Sequence, residues 1–268
     1  MDKITFAILG GGNLGSPLAD GIYQTKLAAG KIILTRRNDK SFSVEQREKF
    51  KCTTDNASAV KNADIIVIAV QPKQLEDLIN SISKHLCKDK KQLIISVVTG
   101  ATIEKIQNLF GKSNKNLAIA RAMPNTSLKT GNSMTCLAFN KEAESFKEKV
   151  QEIFNSLGET LIIKEEMFPQ ATVLCGSGIA IMARFIRVYM QAGIQSGFNE
   201  EASLQIAIQL MKGTAMLLKE GVHPEVAIDK VTTPGGCTIT TLAEMEHCGF
   251  SSALLKAIEA GITKARTL

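Results

Sequence analysis

The sequence predicts an α/β protein: a doubly wound, mostly parallel sheet in its N-terminal part, followed by an all-α C-terminal part. Three observations carry that expectation. From residue 4 to about 164, short runs of Ile, Val and Leu alternate with amphipathic segments, the pattern of βαβ units. A glycine-rich turn, Gly10-Gly11-Gly12-Asn13-Leu14-Gly15, directly follows the first apolar run. From Lys164-Glu165-Glu166 to Leu268 no strand-like run occurs, only helical periodicity.

Taken in order, strands are expected at 4–9, 31–35, 65–70, 93–98 and 117–121, each short, rich in Ile or Val and closed by Gly, Asn, Gln-Pro or Met-Pro. Helical patterns lie between them, at 14–24, 75–86 and 103–109. Two further strand-like runs, 134–139 and 159–163, flank a helix at about 142–156, and Gly158 just past its last periodic residue is a stop signal. Beyond residue 164 helices are expected at 178–195, 200–218 and 224–231, with two more after the break at Pro234-Gly235-Gly236. Pro224 suits a first helical turn, where its missing N–H costs nothing. Helix 200–218 carries Leu204, Ile206, Ala207, Ile208, Leu210, Met211, Met216 and Leu217, so it is apolar on nearly every face. Such a helix must be covered all round. The helical region is too small to do so alone, and a second subunit is expected to complete the burial. The division falls at 1–164 for the sheet domain and 165–268 for the helical domain.

Composition agrees with an ordinary soluble globular protein. Of 268 residues, 44% are hydrophobic and 22% charged, and the length suits two domains. The net charge of +6 is spread along the chain rather than gathered in a basic run, which argues against nucleic-acid binding. The six cysteines (52, 87, 136, 175, 237, 248) show no CxxC spacing and no cluster with His85, His223 or His247. A zinc site or disulfide framework is therefore not expected, and isolated thiols suit a reducing cytoplasm. Asp2 and the immediate run into glycines are unlike a signal peptide. No apolar stretch is expected to approach the roughly 20 residues that cross a bilayer.

The glycine turn is a GxGxxG between a strand and a helix, the dinucleotide fingerprint of a Rossmann-type domain. Gly10 would permit the turn, Gly12 would let backbone approach a pyrophosphate, and Gly15 would let helix and strand pack closely. Helix-start N–H groups would then hold the phosphates. At the end of the second strand, where an NAD site usually places an acid, the chain has Thr35-Arg36-Arg37-Asn38. Two guanidiniums favour a 2′-phosphate and hence NADPH over NADH. Arg121-Ala122-Met123-Pro124-Asn125-Thr126 closes the last strand of the parallel set; Asn125 could meet a carboxamide or merely hold a turn. Thr232-Thr233-Pro234-Gly235-Gly236-Cys237-Thr238 opens a later helix and could cradle a small carboxylate, or its threonines could be simple N-caps. His223, beside Pro224, reads as a helix-start residue rather than an acid.

The glycine turn with Asn13, the strand end TRR, AVQPKQ (69–74), RAMPNT, CGSG (175–178) and VTTPGGCTI occur in one chain, in an order that resembles the pyrroline-5-carboxylate reductase family along nearly its whole length. The resemblance implies NADPH-dependent reduction of a cyclic imine to L-proline. It also implies a homodimer through the C-terminal helices, with the active site between the domains. By position, Gly10, Gly12, Asn13, Leu14 and Gly15 would hold the pyrophosphate, Arg36 and Arg37 the 2′-phosphate, and Asn56 the adenosine ribose. Ala69, Val70, Gln71, Pro72, Met123, Pro124 and Asn125 would line the cofactor crevice. Thr232, Thr233, Gly235, Gly236, Cys237 and Thr238 would surround the substrate, with the Thr238 hydroxyl donating to the ring nitrogen. The iminium carbon is already electrophilic, so positioning two rings would supply most of the catalysis.

Three positions depart from the family pattern: Ile179-Ala180-Ile181 replaces Pro-Ala-Tyr, Cys237 stands where Thr or Ala is usual, and Gln71 replaces a lysine. Two rivals follow, a reductase of a different cyclic imine and a dinucleotide-sensing protein without catalysis. A hydroxyacid dehydrogenase would need a lysine in helix 178–195, which carries only Arg184 and Arg187.

Overall fold

The computed structural model describes residues 4–25, 31–111, 114 and 116–268. They form two compact units, one of residues 1–177 with 262–268 and one of 178–261.

The first unit is built on one eight-stranded sheet. Its strands are β1 (Phe6–Leu9), β2 (Ile32–Thr35), β3 (Lys51–Thr53), β4 (Ile65–Ile68), β5 (Leu93–Ser96), β6 (Ala118–Met123), β7 (Ser133–Phe139) and β8 (Gly158–Ile162), in the order β3-β2-β1-β4-β5-β6-β7-β8. All pairs are parallel except β6–β7, which is antiparallel. The first six strands follow the doubly wound order of a Rossmann sheet.

Strand period explains the two layers. In β1, Phe6 and Ile8 point to a core shared with Leu18, Ile22 and Phe154, whereas Ala7 and Leu9 point to a second core with Ile66, Ile68 and Ile79. Helices α1 (Gly15–Gln24) and α6 (Lys147–Asn155) supply the first core. Between β2 and β4 lie two short helices, α2 (Val44–Lys49) and α3 (Asn56–Val60). Together with α4 (Leu75–Ile82) and α5 (Ile103–Phe110), α3 covers the other face.

Every expected strand is present, with its ends displaced by at most two residues. Two features were not foreseen. Strand β3 has only three residues, none buried, at the sheet edge, so it carries no apolar pattern. The antiparallel reversal at β7 follows from the short turn 126–130, which is too brief for a crossover.

Past β8 the chain is helical: α7 (Phe168–Ala171), a π-helical turn Thr172–Ser177, α8 (Gly178–Gln195), α9 (Glu200–Lys219), α10 (Pro224–Asp229), α11 (Cys237–His247) and α12 (Phe250–Ala265). In the second unit α8 and α9 approach closely where a Cβ on Gly193 would lie 2.7 Å from Ser203 Oγ, and Phe185 meets Phe250 edge-on at 6.1 Å. Asn199 caps α9, its side chain accepting from the Ala202 N–H. The expectation about apolar length needs correction. Helical structure runs without interruption over Glu165–Gln195, 31 residues with mean hydropathy of 1.5 in its most apolar window, long enough by length and composition to span a bilayer. The helix expected from sequence begins only at 178, so the pattern did not show that continuity. Among the described residues α8, α11 and α12 bury no side chain, and α9 buries only Ser203 and Ala207.

Candidate functional site

The C-terminal ends of β2, β1 and β4 converge where successive crossovers diverge to opposite sides of the sheet, which is where open α/β sheets bind ligands. A cavity of about 800 Å³ opens there. Its floor is the glycine turn. The Gly11 N–H donates to the Thr35 carbonyl (2.7 Å), the Gly10 N–H to Thr35 Oγ1 (3.3 Å), and Thr35 Oγ1 donates to Asn56 Oδ1 (2.6 Å). Thr35, 2% exposed, thus ties the turn to the start of α3.

Gly10 has φ of +104°, and a Cβ there would lie 2.6 Å from the Ala69 carbonyl oxygen. A Cβ on Gly15 would lie 2.1 Å from the Gly10 oxygen, so helix and strand can meet only without a side chain. At Gly12 a Cβ would meet nothing within 4 Å; it would project into the cavity. Among the described residues, the N–H groups of Asn13 and Leu14 have no backbone acceptor, and α1 has no side-chain cap. Unsatisfied donors at a helix start, above a surface kept bare by glycine, form an anion cradle. These residues fit a dinucleotide pyrophosphate.

The two arginines are not equivalent. Arg36 is held by the protein: its guanidinium donates to the Ser41 carbonyl and to Ser16 Oγ (3.1 Å), lies 5.6 Å from the Phe42 ring centre, and crosses Gly11. Its Nε is buried and has no hydrogen-bond partner among the described residues. Arg37 is exposed and, among the described residues, makes no hydrogen bond or ion pair. Both line the cavity, with Asn38 and Ser41 beside them.

Of the expected cofactor residues, Gly10, Gly12, Asn13, Leu14, Arg36, Arg37, Asn56, Ala69, Val70 and Gln71 share this cavity. Gly15 lies behind it. Pro72 starts a turn in which the Gln71 N–H donates to Gln74 Oε1 (3.2 Å). Met123, Pro124 and Asn125 do not line the cavity. Met123 is buried with Cys136, Ala138 and Phe168. Asn125 Oδ1 accepts from the Ser127 N–H (2.9 Å), so its carbonyl oxygen holds the turn after β6. Gln74, Asp77 and Ser81 of the α4 region also line the cavity. Sequence reading missed them because each looks like the polar side of an amphipathic helix.

Arg121, at the head of RAMPNT, was given no role from sequence. It is 4% exposed; Nη1 donates to Glu165 Oε1 (2.9 Å), and its guanidinium carbon stacks 4.0 Å from the Phe168 ring centre. Burial lowers its pKa, and the Glu165 carboxylate opposes that shift. The same Glu165 oxygen accepts from the Ile103 N–H (2.7 Å), joining β6, α5 and the start of the helical region.

The threonine-glycine segment belongs to the second unit. Gly236 is the N-cap residue of α11, without a side-chain cap, so the N-cap reading of these threonines does not hold. Thr232 Oγ1 instead donates back to the Ile228 carbonyl (2.8 Å), and Thr233 Oγ1 crowds Gly236, where a Cβ would lie 2.5 Å away. Gly235 turns the chain at φ +71°. Thr238 is partly buried and its hydroxyl makes no hydrogen bond among the described residues; Cys237 is exposed. The start of α11 thus offers free N–H groups and a free hydroxyl. His223 caps α10, Nδ1 accepting from the Glu225 N–H (3.3 Å), as expected of a helix-start residue.

Residues 165–268 match the family described as pyrroline-5-carboxylate reductase dimerisation, and residues 5–100 match NADP oxidoreductase, coenzyme F420-dependent. Two Dictyostelium discoideum proteins are each 42% identical to the chain: pyrroline-5-carboxylate reductase 1, over 98% of this chain and 49% of that protein, and pyrroline-5-carboxylate reductase 2, over 94% and 89%. The chain therefore spans about half the length of the former. A crystal structure of Plasmodium falciparum pyrroline carboxylate reductase with NADP bound superposes with a TM-score of 0.88 at 28% identity, covering 100% of this chain and 98% of that one.

Proposed function

Because the chain belongs to the pyrroline-5-carboxylate reductase family, we propose that it reduces 1-pyrroline-5-carboxylate to L-proline with NADPH, as an oxidoreductase acting on a C=N bond. The carrying observation is the anion cradle of the glycine turn, with Arg37 at its rim and unpaired among the described residues. Bound NADPH supplies the hydride. Asn13 and Leu14 hold the pyrophosphate through backbone N–H groups, and Asn56, fixed by Thr35, meets the adenosine ribose. Arg37 takes the 2′-phosphate, while Arg36 builds the wall beside it and presents one face of its guanidinium. Ala69, Val70 and Gln71, which line the cavity, are assigned to the nicotinamide end of the crevice, with Pro72, Met123, Pro124 and Asn125 behind them in the supporting turns.

The start of α11 receives the substrate. Its N–H groups and positive dipole end suit the carboxylate, with Thr232, Thr233, Gly235, Gly236 and Cys237 shaping the wall. Thr238 donates its hydroxyl hydrogen bond to the ring nitrogen, which stabilises the amine as the imine carbon accepts hydride. The division at 164/165 assigns binding of the dinucleotide to 1–164 and substrate binding with dimerisation to 165–268; the dimerisation match begins at 165, whereas the compact units divide at 177/178.

The helical unit exposes Met182, Phe185, Val188, Tyr189, Leu210 and Leu217, more apolar surface than a monomer normally carries. A second copy of the chain covers it, making a homodimer. Six free cysteines support a reducing, cytoplasmic setting. Stopped-flow or steady-state oxidation of NADPH in the presence of pyrroline-5-carboxylate tests the reading; absence of proline formation would overturn it.

A further inference from the structure

We propose that Cys136 and Cys175 form a redox-active dithiol that closes to a disulfide under peroxide and ties the turn before α8 to strand β7. Their sulfurs lie 3.4 Å apart although the residues are 39 positions distant in sequence. A disulfide needs about 2.0 Å, so the two sulfurs must close from 3.4 Å. Among the described residues no other two cysteine sulfurs are placed in this way.

Each thiol sits on a defined element. Cys136 is buried at 4% exposure on β7, where it is the cross-strand partner of Met123 at the end of β6. Cys175 is partly buried on the π-helical turn Thr172–Ser177, and the next residue, Gly176, lies against Met123 Sδ, which a Cβ there would approach to 3.7 Å. A π-turn departs from the regular helical ladder and is common at functional positions. The dithiol therefore bridges the turn leading into α8 and the strand beside the Met123-Pro124-Asn125 bend.

Their chemistry is asymmetric. The two thiols share one hydrogen bond, which lowers the Cys175 pKa to about 7, whereas the same bond and burial push Cys136 up. Cys175, the more exposed of the two and the one on the π-helical turn, is the nucleophile, and Cys136, buried on β7, resolves it. Its thiolate attacks one peroxide oxygen: an S–O bond forms, the O–O bond breaks, and hydroxide leaves to take a proton as water. The Cys136 sulfur then attacks the Cys175 sulfenic acid, forming S–S and breaking S–O, and its proton leaves with the oxygen as a second water. Two thiols are oxidised and one peroxide is reduced. A small-molecule thiol reverses the step by exchange.

The test uses the full, reduced chain treated with hydrogen peroxide, followed by non-reducing peptide mass mapping. The expected product is a peptide containing Cys136 linked to one containing Cys175, lighter by two hydrogens and separated again by dithiothreitol. In Cys136→Ser the link should vanish, and dimedone should label Cys175 as the trapped sulfenic acid. In Cys175→Ser, Cys136 should stay unlabelled. The proposal is overturned if the native chain gives no such link, or if peroxide carries Cys175 to sulfinic acid equally fast with and without Cys136. This outcome is independent of whether the chain reduces a cyclic imine.

Discussion

Arg36 and Arg37 look identical in sequence, yet the structure gives them different work. Arg36 is spent on the Ser41 carbonyl, Ser16 and Phe42, whereas Arg37 has no protein partner among the described residues. Arg37→Ala should therefore weaken NADPH by about 30-fold, the loss of one charge-assisted hydrogen bond of about 2 kcal/mol. NADH affinity should change little, as fluorescence titration with both cofactors would reveal; equal weakening of the two would refute the assignment. Arg36→Ala should instead lower the melting temperature and weaken both cofactors, because it removes a wall. At the second site, Thr238→Ala should cut turnover by roughly 100-fold while leaving NADPH affinity intact. A parallel fall in cofactor affinity would show that the hydroxyl belongs elsewhere.

At the scale of elements, the strand–turn–helix opening was legible because each requirement is local. The approach of Gly15 to the Gly10 oxygen appears in the sequence as a missing side chain. Gly15→Ala should force α1 away from β1, costing about 2 kcal/mol of stability by overpacking, with loss of NADPH binding. Denaturant unfolding and cofactor titration would check both parts. What the sequence hid was non-local. Strand β3 carries no buried residue to announce it, and the cavity-lining Gln74, Asp77 and Ser81 differ in no way from a solvated helix face. Glu165 meets Arg121 across 44 positions, so neither residue declares its partner. Replacing Glu165 by Gln should cost about 2 kcal/mol, less than the roughly 3–5 kcal/mol of a fully buried pair because Glu165 is 31% exposed. A thermal shift no larger than that of an exposed glutamate would contradict this placement. The reading of Thr232 and Thr233 as N-caps failed for a related reason: Gly236 takes the N-cap position, and the Thr232 hydroxyl bonds back to the Ile228 carbonyl at the end of α10.

For the whole molecule, two units and an apolar helical surface have to be reconciled with a stable protein. The sequence showed this already in α9, where apolar residues face every direction, and the structure leaves Ile206, Leu210 and Leu217 around an open groove. Burying that surface against a second copy accounts for it. Leu210→Glu should then shift the chain from dimer to monomer in sedimentation velocity and lower activity with it; an unchanged sedimentation coefficient would place the dimer contact elsewhere. The measurement that most directly tests the central claim is steady-state reduction of 1-pyrroline-5-carboxylate with NADPH and with NADH, alongside a six-membered cyclic imino acid. Proline formation with NADPH well ahead of NADH, and with the five-membered ring ahead of the six-membered one, is the expected result. NADPH binding without reduction of either ring, or a strong preference for the larger ring, would contradict it.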